Sequence, residues 1–227
     1  MQSFNSHSPW PFAQGGGPTI TLFSAIFVGL LALSRRRANF ATRLLAAIGF
    51  LVWILILYFF RDPNRNLMEE PGLVVSAADG EVVEIICERE DDYLHQDAIR
   101  ISVFLSIFDV HVQRIPITGT VKMVRHQPGR FLQAFRPEAS SVNEYIAMLI
   151  QTTFGPVLVK QIAGIMARRC VNDAHPGDIV NGGQRFGMIK FGSRVDLFIA
   201  PAAEILVTVG DRVIGGVTPV ARLPEQM

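Results

Sequence analysis

Arg185-Phe-Gly-Met-Ile-Lys-Phe-Gly-Ser-Arg-Val-Asp196 is a β-rich stretch interrupted by a glycine and a serine. Its two sides read as strands, Gln184 to Phe191 and Val195 to Ile199, with Gly192-Ser193 at the junction. Working outward, similar short runs recur at Leu73 to Val75, Glu81 to Cys87, Ala98 to Ser106, Gly119 to Val124, Asn143 to Gln151 and Val157 to Ile165. Asp79-Gly80, Pro128-Gly129, Pro176-Gly177-Asp178 and Gly210-Asp211 supply turn chemistry among them. The spacing predicts a mainly β (α+β) protein built on an antiparallel β domain. Ala78-Asp-Gly-Glu-Val-Val83 and Val209-Gly-Asp-Arg-Val-Ile-Gly-Gly216 look like the turn-and-strand pieces of a barrel-sandwich hybrid of the lipoyl or biotinyl type. No lysine stands at a hairpin tip in the carrier context, which argues against a swinging-arm carrier.

Ahead of this β domain (residues 62–227) the composition changes. Residues 1–61 contain no Asp, Glu or Lys and five arginines, a charge of +5, whereas residues 62–227 carry −4. Thr19 to Ser34 and Leu44 to Phe60 are apolar runs that predict two helices of about 25 Å each, a little short of a ~30 Å hydrocarbon core. Arg35, Arg36, Arg37 and Arg43 lie between them and favour an anionic cytoplasmic leaflet. A spanning hairpin with that loop inside would put the β domain outside. We therefore expect shallow insertion from the cytoplasmic side, with the β domain facing the cytoplasm. No basic region precedes the first run and no small-residue cleavage site follows it, which speaks against a secretory signal.

Near-zero net charge and no dominant basic face argue against nucleic acid as a partner. Cys87 and Cys170, far apart in apolar runs, suit buried reduced thiols. His7, His95, His111, His126 and His175 are scattered and show no metal-ligand spacing, so no metal is expected. Gly15-Gly16-Gly17 lacks the lysine of a phosphate loop. What remains is a set of polar residues at strand ends: Asp79 before Gly80, His111 in Phe108-Asp-Val-His-Val-Gln-Arg-Ile-Pro116, and Ser193 after Gly192. Each alone has a structural explanation, as a turn aspartate, a satisfied histidine or a Gly-Ser turn.

In order and with their flanks, these residues resemble the short prokaryotic type of phosphatidylserine decarboxylase. The matching stretches include Tyr58-Phe-Phe-Arg-Asp-Pro63, Val75-Ser-Ala-Ala-Asp-Gly80, Val110-His-Val-Gln-Arg-Ile-Pro116, Pro128-Gly-Arg-Phe131, Asn143-Glu144, Gln161-Ile-Ala-Gly164, Ala167-Arg-Arg169, Phe191-Gly-Ser-Arg-Val-Asp196 and Val209-Gly-Asp-Arg-Val213. The resemblance implies a proenzyme that cuts itself between Gly192 and Ser193 into chains 1–192 and 193–227. Ser193 would become a covalent pyruvoyl group. That group would form a Schiff base with phosphatidylserine in the membrane and release carbon dioxide and phosphatidylethanolamine. His111 would be the base for self-cleavage and a proton donor, and Asp79 would orient it. Some longer relatives carry a second histidine where this chain has Arg114. The cell membrane is the implied location, and a homo-oligomer stays open. Two other readings also stay open: a pyruvoyl decarboxylase of a soluble amino acid, and a membrane-anchored, non-catalytic adaptor with a lipoyl-like domain.

Overall fold

The computed structural model describes residues 11–65, 70–133, 139–164, 170–189 and 193–225. The chain forms two compact units, one of residues 8–64 and the other reaching from Arg65 to the C-terminal end.

The first unit is a helical hairpin. Helix α1 (Gly17–Arg37) begins on Pro18, whose missing N–H is harmless in a first turn, and ends at Ala38 in the left-handed conformation. Helix α2 (Phe40–Phe59) starts two residues later, where the Asn39 side chain accepts a hydrogen bond from Thr42 N at 2.9 Å and caps the first turn. Both helices begin before the apolar stretches seen in the sequence, because Pro18 and the Asn39 cap, and not hydrophobicity, set their starts. Their lengths come to about 31 and 30 Å at about 1.5 Å per residue, enough by length and composition to cross a membrane. Phe27 stacks on Trp53 at 5.3 Å between ring centres, and Trp53 Nε1 donates to Ser24 Oγ at 2.9 Å. Most other large side chains, such as Leu44, Ile48, Leu51 and Leu55, face outward. An apolar surface on all sides needs a non-aqueous neighbour. Arg35, Arg36 and Arg37 fill the last turn of α1, where the helix dipole favours positive charge.

The second unit is almost entirely antiparallel β. Its strands are β1 (Leu73–Val75), β2 (Gly80–Glu90), β3 (Gln96–Leu105), β4 (Val112–Arg114), β5 (Gly119–Gln127), β6 (Tyr145–Thr152) and β7 (Gly155–Ile162). After them come β8 (Cys170–Asn172), β9 (Ile179–Val180), β10 (Arg185–Ile189), β11 (Ser193–Ile199), β12 (Glu204–Ile205), β13 (Arg212–Val213) and β14 (Pro219–Arg222), and a single turn of helix, α3 (Ala139–Val142), precedes β6. Among the described residues, eight strands form one sheet in the order β13-β2-β3-β11-β7-β6-β5-β9, and two three-stranded sheets, β1-β14-β12 and β4-β10-β8, accompany it. The mainly β class expected from the turn spacing is what the chain builds, and all eight sequence-assigned runs overlap strands.

Side chains alternate across β11, so its neighbours differ by face. Val195, Leu197 and Ile199 enter the main core with Val82, Ile101 and Val103. Phe198 joins a second cluster with Leu158 and Ile162, and Lys160 Nζ lies 4.8 Å from its ring centre. Both faces of β11 are covered, which is why all seven of its residues are buried. The thiols divide. Cys170 is buried, and burial pushes its pKa up to about 12. Cys87 is exposed, against the sequence expectation, because β2 runs on past the core at that point.

Candidate active site

Ser193 is the first residue of β11, fully buried, opposite Leu105 of β3. Its Oγ has no hydrogen-bond partner among the described residues. An unpartnered buried hydroxyl costs about 1–3 kcal/mol, so a fold that keeps one holds it for something other than stability. Gly192 lies outside the described residues.

His111 immediately precedes β4 and is also fully buried. Ile189 N donates to the His111 carbonyl at 3.3 Å, which sets His111 across from a residue only four positions before Ser193. The ring Nδ1 lies 2.9 Å from the Asp109 carbonyl oxygen. A carbonyl only accepts, so Nδ1 carries the proton and, in the neutral ring, the lone pair is on Nε2. That is the tautomer a general base requires. Its support is built from nearby polar groups. The Asp109 carboxylate accepts from Ser106 N and Ser106 Oγ, both at 2.8 Å, and from Arg212, which fixes the turn presenting the Asp109 carbonyl. Beneath the backbone of His111, Gln113 Nε2 donates to the His111 carbonyl at 2.9 Å, and Gln161 Nε2 donates to Gln113 Oε1 at 3.0 Å.

Hydrogen bonds from Val75 N to the Pro116 carbonyl and from Arg114 N to the Ala77 carbonyl, at 2.9 and 2.8 Å, run the stretch before β2 alongside β4 and carry Asp79 toward the level of His111. Its carboxylate, however, accepts from Arg65 Nη1 at 2.6 Å, Arg65 Nη2 at 2.8 Å and Gly215 N at 2.8 Å. The Nδ1 contact expected from Asp79 is instead made by the carbonyl of Asp109, two residues back along His111's own chain. Arg114, at the position of the second histidine of longer relatives, is buried with Nη1 donating to the Gly183 carbonyl at 3.2 Å.

On the opposite face of β11 lies a charged cluster that the motif reading passed over. Arg194, Asp196, Arg100, Glu84 and Glu88 share hydrogen bonds across β2, β3 and β11. Burial pushes the Glu84 carboxyl up, but Arg100 and Arg194 outweigh it and leave its pKa lowered. The spacings Arg194-x-Asp196 and Arg100-x-Ser102, each placing two polar groups on one strand face, were the available signal. A cleft of about 630 Å³ lined by Leu73, Thr118, Thr120, Gln151 and Phe154 contains none of Asp79, His111 and Ser193.

A profile of the family described as phosphatidylserine decarboxylase matches residues 53–221. A phosphatidylserine decarboxylase proenzyme of Parabacteroides distasonis is 40% identical over 215 residues, covering 93% of this chain and 98% of that one. The proenzyme of Carboxydothermus hydrogenoformans is 41% identical over 199 residues, covering 87% and 92%. That of Nocardia farcinica is 48% identical over 169 residues, covering 73% and 71%. Extent and identity together give one conclusion: the chain belongs to the phosphatidylserine decarboxylase family.

Proposed function

We propose that this chain matures by cutting itself between Gly192 and Ser193, that Ser193 becomes a covalent pyruvoyl group, and that the mature protein works on phosphatidylserine at a membrane surface. The activity is that of the family, loss of the serine carboxylate as carbon dioxide. The observation that carries the reading is the buried Ser193 hydroxyl without a partner among the described residues, set at a strand end close in sequence to the residue facing His111.

In the proposed maturation, Nε2 of His111 takes the hydroxyl proton while Oγ bonds to the Gly192 carbonyl carbon. The amide C–N bond breaks, the nitrogen takes a proton, and an ester joins the two halves. Glycine suits the electrophilic side because no Cβ screens its carbonyl. Removal of the Ser193 α-proton then breaks the Cβ–Oγ bond and frees the Gly192 carboxylate. Addition of water and loss of ammonia convert the remaining dehydroalanine to the ketone. Asp79 acts beside this base as a half-buried carboxylate that steadies the positive charge His111 acquires, held in place by Arg65. Once formed, the pyruvoyl group supplies an electron sink for a substrate amine, so no diffusible cofactor is required. The core face of β11 fits such a group: it is apolar, and the serine that precedes the ketone is already enclosed.

The two apolar helices support membrane attachment, and the arginines at their turn favour the cytoplasmic leaflet of the cell membrane with the β unit on that side. A two-chain lipid leaves a bilayer only at about 0.8 kcal/mol per exposed CH₂, so a decarboxylase acting on it gains from being anchored.

The test is an intact-mass measurement on purified protein, joined to carbon dioxide release from phosphatidylserine and from free serine. Two chains meeting between residues 192 and 193, a Ser193→Ala protein that stays whole, and release from the lipid alone are the expected results. A whole, active chain overturns the reading.

A further inference from the structure

Arg194 is the bulkiest side chain that the described fold encloses completely, at 1% exposure. Because it follows Ser193 in a strand, it leaves the opposite face of the sheet and does not reach the proposed ketone. Its guanidinium donates from Nε to Asp196 Oδ1 at 2.6 Å, and from Nη2 to Glu84 Oε2 at 2.9 Å and Ser102 Oγ at 2.7 Å. Asp196 is fixed in turn: its Oδ2 accepts from Ser140 Oγ at 2.6 Å and lies 3.7 Å from Arg100 Nη1. Enclosed ion clusters of this kind are poor devices for stability, since well-packed apolar groups usually do as well or better. Their strength is geometric, because a planar guanidinium with several fixed acceptors admits one position.

That property matters at this place in the chain. On the proposed cut, Glu84, Ser102, Ser140 and Arg100 belong to the larger chain and Arg194 and Asp196 to the smaller. The cut removes the covalent link before Ser193. Replacing the amine by a ketone also removes the N–H of that residue, so the first backbone donor left to β11 is the N–H of Arg194. A strand end so deprived frays. We infer that Arg194 is a positioning residue: its three-partner clamp pins the new end of the small chain to β2 and β3, and thereby holds the ketone in register after maturation. The inference rests on the proposed cut at Ser193.

The test compares Arg194→Lys in two settings, the matured full-length protein and the uncut Ser193→Ala protein. Lysine keeps the charge and loses the fork. In the matured protein, hydrogen exchange of the first amides of β11 should rise about tenfold and kcat on phosphatidylserine vesicles should fall about tenfold with KM within about twofold. In the uncut background the same substitution should change that exchange by less than about twofold, since the peptide link still tethers the strand. Equal effects in both settings, or an unchanged kcat in the matured protein, overturn the clamp. If Arg194→Lys fails to mature, Ser102→Ala, which removes one of the three acceptors, carries the same comparison with the same two outcomes. A parent protein that never divides sinks the reading beneath the clamp, and shows it before any variant is made.

Discussion

Arg65 holds Asp79 through two parallel contacts, Nη1 to Oδ1 at 2.6 Å and Nη2 to Oδ2 at 2.8 Å, with both side chains largely buried. Removing the cation leaves an enclosed carboxylate without its partner. Arg65→Met in the uncut Ser193→Ala protein should therefore lose about 3 kcal/mol in chemical denaturation. Adding Asp79→Asn should recover part of that loss, and a cycle without coupling shows that the pair is not the cause.

His111→Gln should leave the fold standing and stop its chemistry. Glutamine can still donate to the Asp109 carbonyl but has no basic lone pair. Release of the 35-residue chain should slow at least about 10²-fold, followed on denaturing gels after synthesis. Unchanged cleavage assigns the base elsewhere.

Gly80 opens β2 beside Asp79, and a methyl group placed there would lie 2.1 Å from the Phe104 carbonyl oxygen. Backbone must move to admit it. Gly80→Ala should cost more than about 3 kcal/mol and block maturation. By contrast Gly177→Ala, at a surface turn with nothing within 4 Å and φ 97°, should cost only about 1 kcal/mol from its backbone angle. Thermal melts of the two proteins distinguish these outcomes.

Glu90 predicts a pH response. Burial pushes its carboxyl up, but a hydrogen bond from Lys160 at 2.8 Å and those from Leu94 N and Tyr93 N outweigh this, leaving the pKa below the usual 4.5. A carboxyl whose pKa is depressed on folding contributes stability above its unfolded value and loses it as pH falls through the folded one. Denaturation midpoints should thus drop below about pH 4.5, and Glu90→Gln should flatten that drop while lowering stability near neutrality. An unaltered acid limb assigns the transition to other groups such as Glu84.

Strand positions were legible because Gly, Pro and Asp-Gly turns punctuate β-branched runs, and Ser193 and His111 stood out through the order of their flanking motifs. Helix ends were less so, since hydrophobicity marks the apolar span while Pro18 and Asn39 set the caps. The partner of His111 was not legible at all. Whether its Nδ1 meets Asp79 or the carbonyl of Asp109 depends on how the Ser106–Asp109 turn closes, and that turn is fixed by Arg212, about a hundred residues further along. The amides of Gln113 and Gln161 belong to the motifs that identify the family, yet what they do is brace the backbone of His111, a role that only the paired sheets reveal.

β11 has hydrogen-bonded neighbours along both edges, β3 on one side and β7 on the other. A fragment beginning at Ser193, as the proposed cut would make, would thus be laced into its companion and part from it only when the whole fabric opens. An enzyme that borrows a vitamin can trade a spent one for another, but here the reactive carbonyl would be sewn in for life. If the substrate adduct were protonated on the former ketone carbon and then hydrolysed, the substrate's nitrogen would stay behind as an amine and retire the entire molecule, so fresh catalyst would have to come from new synthesis, with no route through repair.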